Sequence, residues 1–403
     1  MKTISYILLA FATMVNACSC GYSGEEEYDP NKGGGGDKPA EKVVLHERAA
    51  AVLEVINREY RYQNNGTYLF HEEAGAAGSS FLWPYVGMMS GLNALTKLGY
   101  DVNLETYADN MLLYWRTPSG KLPAFGSSTN GMPCGGTRYY DDNGIAGIEL
   151  VDAYLSTGKK TYLDRCGDIY RFTKDAVDDV IATALWWNED QKNMPSVEDS
   201  NKPSCANGYC TKFLLKYYRI CPENEKAAVL ELAKTLYSFL RNTLMDPSDK
   251  CYWNDIGADN IINKTKWTYN TGVMIENGVM LYEITKDQTY LNHAKESAAG
   301  SFGYFVKSRD GLNLAYPNHD PWFNTKLVLG YIAIAPHWKT AKDYIEAYKI
   351  FVETGWKSAR TSNGLFYEDW AGKSQGRYQQ LLMQAAVLEA YGVMALYYGE
   401  KKN

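Results

Sequence analysis

The chain has 403 residues, 45% of them hydrophobic, enough to bury one large core or two ordinary ones. Its net charge of −6, with no basic run, excludes nucleic acid as an expected partner. The aromatic content is skewed, with 33 Tyr and 10 Trp against 12 Phe, toward side chains that pair an apolar face with a polar edge and so suit either a core or a wet cleft.

Residues 1–17 read as an export signal: Lys2 is a short basic region, and the apolar run from Ile4 to Val15 is too short for a permanent membrane span. Val15-Asn16-Ala17-Cys18 resembles a bacterial lipobox, which makes Cys18 the expected lipidation site, with Cys20 as a competing one. Residues 18–42, with Glu25-Glu26-Glu27 and Gly33 to Gly36, read as an acidic, flexible tether. Acidic residues just after the cysteine resemble the surface-export signal of Bacteroidetes lipoproteins. The expectation is a lipid-anchored protein of the cell surface or outer membrane; secretion without lipid, or a periplasmic location, is the alternative. The membrane is met only through that anchor. Residues 43–403 form the expected folded domain, and a monomer is expected. Among its cysteines, Cys205 and Cys210, or Cys221 and Cys251, could pair in an exported protein, and buried thiols are equally compatible. The Cys205–Cys210 spacing does not suit zinc, and no His cluster accompanies it.

Self-similarity organises this domain. Tyr154 to Asp164 matches Tyr282 to Asn292 in residue type, each reading as a helix end, a polar turn and a new helix. Tyr217 to Lys226, broken by Pro222, takes the corresponding place between them. Helices rich in small and apolar residues are predicted to start near Ser80, Tyr140, Ser204, Thr268, Pro321 and Gly376. Their partners, such as Glu223 to Leu240 and Ala341 to Thr354, are striped and amphipathic. Apolar helices belong inside and striped ones outside. The predicted fold is all-α, an (α/α)6 barrel of six helical hairpins, with an open solenoid as the alternative.

Tyr139-Tyr140-Asp141-Asp142-Asn143 opens the second inner helix. Adjacent carboxylates at a helix mouth are commonly there because the macrodipole favours them. They can also differ widely in pKa, which suits a nucleophile and an acid/base acting on a glycosidic bond. Aromatic loops precede or open the inner helices: Trp186-Trp187-Asn188, Tyr252-Trp253-Asn254, Trp267-Thr268-Tyr269-Asn270, Trp322-Phe323-Asn324 and Phe366 to Trp370. In a barrel these gather at the end where inner helices begin, as walls of an aromatic cleft. Trp187, Tyr269 and Trp322 are the expected sugar platforms, Tyr140 and Asn143 beside the carboxylates are expected to bind substrate, and Asn270 is a candidate partner for a sugar hydroxyl or a carboxylate. The loops carry no Arg cluster to receive a uronate. Asn193 to Pro203 is a long polar loop expected to reshape the cleft, and Glu149 and Glu276 are expected as polar groups of the barrel interior or as partners in salt bridges.

In the order and spacing of these motifs, over residues 45–398, the chain resembles glycoside hydrolase family 76, the α-1,6-mannanases. The resemblance implies that Asp141 is the catalytic nucleophile and Asp142 the acid/base. It also implies retaining, endo-acting hydrolysis of α-1,6-mannan, with no metal or cofactor. Where the family usually has a small residue and then Trp after the Asp-Asp-Asn motif, this chain has Gly144-Ile145, and a changed subsite is expected there. The alternative is a surface glycan-binding protein with weakened catalysis on the same scaffold, and a different (α/α)6 glycosidase ranks third.

Overall fold

Stripes of apolar residues decide which helices lie outside. In the computed structural model, which describes residues 43–64, 67–129, 135–318 and 320–402, α1 (Leu45–Glu59) buries only Leu45, Ala49, Val52 and Ile56, one face at helical spacing. By contrast α4 (Tyr140–Thr157) is buried from Tyr140 to Val151. Inner helices of this kind are α2 (Leu82–Lys97), α4, α6 (Ser204–Tyr217), α8 (Thr268–Thr285), α10 (Pro321–Ile334) and α12 (Leu381–Tyr397). The outer helices are α1, α3 (Leu104–Met111), α5 (Lys160–Ala176), α7 (Lys226–Phe239), α9 (Gln288–Phe305) and α11 (Ala341–Ser358).

Each inner helix packs on the next, and α12 packs back on α2, so the ring closes as an α/α barrel. Glycine lets the inner backbones approach. A Cβ on Gly272 of α8 would sit 2.4 Å from the Lys326 carbonyl oxygen of α10, so no side chain fits that crossing.

The sixth hairpin departs from expectation. Among the described residues no outer helix follows α12; its outer partner is α1, from the start of the domain. Arg48 of α1 pairs with Glu353 of α11 at 2.5 Å and donates to the Tyr391 hydroxyl of α12. The last inner helix also begins at Leu381 rather than near Gly376. Gly376 has a φ of +55°, and Arg377 there donates to Glu368, so the segment is a folded loop ahead of the helix.

The internal repeat is reproduced at atomic detail. Gly158 and Lys286 both adopt left-handed φ, of 71° and 63°, and their N–H groups return to Tyr154 O and Tyr282 O. Thr157 and Thr285 then each accept the N–H two residues on, at 3.2 Å. Two separate hairpins thus end their inner helices by one device.

Short antiparallel ladders decorate the barrel. One of them, Asn201–Pro203 with Trp253–Gly257 and Ile262–Lys266, is three-stranded. Among the described residues no helix is long and apolar enough to cross a membrane. Cys18, the leader and the tether lie outside the described residues.

Candidate active site

A helix leaves its first N–H groups unpaired, and here the six inner helices all present those ends to one side of the ring. A cleft of about 1160 Å³ opens there, with Asp141 and Asp142 on its surface.

The mouth of α4 is fixed from several directions. Arg138, almost fully buried, donates to both carboxylate oxygens of Glu189 and to Leu122 O at 2.5 Å. Tyr140 N donates to Trp187 O at 3.0 Å. The Asn143 side chain accepts from Phe125 N at 2.8 Å and donates to Phe125 O at 3.0 Å. The same clamp recurs at the fourth position of other inner helices. Asn207 grips both main-chain groups of Leu185, and Gln384 grips both of Phe366. Asn143 is therefore a barrel fastener, fully buried and outside the cleft lining, and the expectation that it touches substrate is corrected.

The two aspartates differ in what they receive. Asp141 Oδ1 accepts the Asp142 N–H at 3.0 Å, and Oδ2 accepts Trp187 Nε1 at 3.0 Å and the Cys205 thiol at 3.3 Å. Among the described residues no hydrogen bond reaches the Asp142 carboxyl. Burial pushes both carboxyls up, but donors oppose the rise at Asp141. At Asp142 nothing opposes burial, and the neighbouring Asp141 charge adds to it, so its carboxyl lies well above the usual range. The pair shares one environment, yet burial raises the Asp142 carboxyl further than that of Asp141.

A second adjacent pair, Asp178-Asp179, lacks this character. Asp178 accepts from Lys202 Nζ at 2.7 Å and from Trp186 Nε1 at 2.6 Å, and it is held below its ordinary value.

Aromatic walls flank the carboxylates. Trp187 and Tyr269 line the cleft as expected, with Tyr139 at 5.0 Å from Trp187 and Phe323 stacked 4.0 Å from Tyr269. Tyr140 is instead buried against Phe172 at 4.8 Å, and its neighbour Tyr139 takes the cleft position. Trp322 is likewise a core residue with no exposed surface, edge-on to Trp83 at 4.8 Å and under the Lys326 ammonium at 4.1 Å. Successive helical residues point about 100° apart, so Phe323 lines the cleft and Trp322 cannot. Asn270 is also fully buried: its Nδ2 reaches Asn254 Oδ1 at 3.5 Å, and Asn254 meets the cleft in its place.

Sequence reasoning also missed Phe81, Trp83, Cys205 and Asp255, all of which line the cleft. Phe81 had a legible signal: a large apolar residue just before a helix, and it remains 49% exposed on the rim. Arg377 reaches the cleft too, neutralised by Glu368 at 2.5 Å and by Asp320.

The polar loop contributes to the cleft wall. Pro195 to Asp199 line it, and Asn201–Pro203 joins the ladder whose central strand carries Asp255. Lys202 anchors this wall. Its ammonium, wholly buried, donates to Asp178 Oδ1 and to the carbonyls of Asp178, Ala182 and Ala184.

Ile145 faces elsewhere. It lines a separate cavity of about 700 Å³ together with Glu149 and Glu276. Glu149 accepts from Ser90 Oγ and Asn93 Nδ2, and Glu276 pairs with Lys212 at 2.7 Å. Ile145 is therefore not part of the cleft wall. Cys205, Cys210, Cys221 and Cys251 are free thiols, so neither proposed disulfide forms.

The sequence profile of Glycosyl hydrolase family 76 matches residues 46–400. The chain belongs to that family. Among solved structures, a family 76 glycoside hydrolase from a bovine Bacteroides thetaiotaomicron strain superposes with a TM-score of 0.77 at 20% identity, covering 89% of this chain and 78% of the other. A family 76 α-mannanase of Bacteroides thetaiotaomicron gives 0.75 at 22% identity, covering 88% and 96%. An inactive variant of the α-1,6-mannanase of Salegentibacter sp. HEL1_6, with two adjacent aspartates replaced by asparagine and α-1,6-mannotriose bound, gives 0.73 at 22%, covering 88% and 99%. No curated protein matches. Membership of family 76 makes the chain a glycoside hydrolase, and the fold it shares with these structures is the α/α barrel.

Proposed function

We propose that this family 76 hydrolase is an endo-acting, retaining α-1,6-mannanase. The observation that carries the reading is the asymmetry of the carboxylate pair: among the described residues, three donors on Asp141 and none on Asp142, side by side in an open aromatic cleft. Asp141 is set up to attack the anomeric carbon as a carboxylate, while Asp142 gives its proton to the departing glycosidic oxygen. The resulting glycosyl ester on Asp141 is then cleaved by water, which Asp142, now ionised, deprotonates. The anomeric configuration is retained by two inversions.

The linkage rests on the relatives. The Salegentibacter enzyme is an α-1,6-mannanase, and the variant that lacks two adjacent aspartates is inactive and holds mannotriose. Tyr139, Trp187, Tyr269 and Phe323 offer apolar ring faces to pyranoses, and Asn254 and Asp255 offer polar groups to hydroxyls. A cleft of this volume has room for several sugar units, which favours internal cleavage. With Ile145 facing the second cavity, nothing in the cleft favours a binding protein that has lost catalysis.

The test is incubation of protein lacking residues 1–40 with unbranched α-1,6-mannan, followed by chromatography. A ladder of oligosaccharides that Asp141→Asn abolishes supports the reading. Release of mannose alone replaces endo with exo action, and no products at all sinks the mannanase assignment. We further propose attachment to the cell surface through lipid on Cys18, which Cys18→Ala should release from the membrane fraction.

A further inference from the structure

Asp141 Oδ2 is reached by two donors from different parts of the barrel. Trp187 comes from the loop before α6, and Cys205 is the second residue of α6 itself. The approach of α6 is made possible at Gly144: a Cβ there would lie 2.9 Å from Cys210 N and 3.0 Å from Tyr209 C. The close crossing of α4 and α6 places the Cys205 sulfur 3.3 Å from the carboxylate, on the cleft surface.

We propose that Cys205 is a positioning residue that orients the Asp141 carboxylate and sets its basicity through a weak S–H donor. The proposal rests on the reading of Asp141 as nucleophile. A hydroxyl at this place would donate more strongly and an alkyl group would not donate at all; the thiol lies between. A nucleophile has to be charged at working pH yet remain basic enough to attack, and a weak donor meets both needs.

The groups facing Asp141 are few. Asp142 lies beside it on α4, Tyr139 before the helix, Cys205, Tyr209 and Cys210 on α6, and Tyr269 on α8. The tyrosines and both thiols are all pushed up by burial, so they stay neutral near pH 7 and Cys205 stays a donor. Of these neighbours, Asp142 is the one carboxyl, and burial and the Asp141 charge raise it.

The experiment compares pH profiles of kcat/KM for wild type, Cys205→Ala and Cys205→Ser. Loss of the donor in Cys205→Ala should lower kcat/KM about tenfold, the low end for a bond to a charged group, and move the acid limb to higher pH. Cys205→Ser should recover most of the activity and move the acid limb below that of wild type. A fall in kcat/KM with the acid limb unmoved in both variants would reduce Cys205 to a packing role and overturn the proposal. The titration of the Asp141 carboxyl can also be followed by 13C NMR, assigned with Asp141→Asn. Opposite displacements in the two variants support the proposal, and an unmoved titration overturns it. That measurement needs no turnover, so failure to cleave mannan would sink the functional reading alone.

Discussion

The indole N–H of Trp187 lies 3.0 Å from Asp141 Oδ2, so the wall of the cleft is hydrogen-bonded to the carboxyl group on its floor. The ring of Trp187 also faces Tyr139 at 5.0 Å. One side chain therefore offers a ring face to the cleft and a hydrogen-bond donor to the carboxylate.

Replacing Trp187 by Phe keeps an aromatic face and removes the donor. A hydrogen bond to a charged group is worth about 1.5–3 kcal/mol, so kcat/KM should fall roughly 10- to 100-fold. The Asp141 carboxyl loses an interaction that favours its charged form, so the acid limb of the pH profile should shift upward. Steady-state kinetics from pH 4 to 8 checks both effects.

Asp142 should set the alkaline limb. Its carboxyl is raised by burial and then by the Asp141 charge, so activity should persist above the usual carboxylate range and decline as Asp142 loses its proton. Asp142→Asn should abolish mannan cleavage. An aryl mannoside, whose leaving group needs no proton, should still release its phenol in a single burst as the glycosyl ester accumulates.

The same residue should cost stability. A carboxyl whose folded pKa lies above its unfolded value of about 4 stabilises the fold below that pH, and the contribution is lost as pH rises through the folded value. Asp142→Asn removes the loss. Its melting temperature should exceed that of wild type near neutrality and converge with it toward pH 4, in a calorimetric series over that range.

Lys202 should prove structural and local. Lys202→Met leaves three carbonyls and a half-buried carboxylate without their shared donor, at a cost of about 2–3 kcal/mol. Urea denaturation reads that loss. Because the loop it anchors lines the cleft, KM for oligosaccharides should rise more than kcat falls.

Lys286 repeats the role of Gly158 with a side chain that disfavours φ of 63°. Lys286→Gly should therefore stabilise by about 0.5–1 kcal/mol, visible as a small rise in melting temperature.

Much of this was legible in the sequence, and the misses have a common cause. The barrel followed from the contrast between helices such as Leu381–Tyr397, buried all round, and the single stripe of Leu45, Ala49, Val52 and Ile56. The aspartate pair and the polar loop were legible because residue type and position in the repeat located them. Orientation was harder to read. In the extended approach to an inner helix neighbours face opposite ways, so Trp186 is core and Trp187 is cleft. On the first helical turn a one-residue step exchanges Trp322 for Phe323 and Tyr140 for Tyr139. The role of Asn143 was hidden because its partner, Phe125, is brought to it only by the tertiary fold.

The pairing of α1 with α12 has a consequence for how the molecule is made. A chain emerging from the ribosome delivers α1 first, and the helix it must cover comes more than 320 residues later. Every other outer helix has its inner partner at once, so five hairpins can assemble in order of synthesis while α1 waits. Ring closure is thus a late event that joins the two ends of the domain. A circular permutant that starts at α2 and carries α1 after α12 would turn this longest-range pairing into a local one, and should refold faster without losing the cleft.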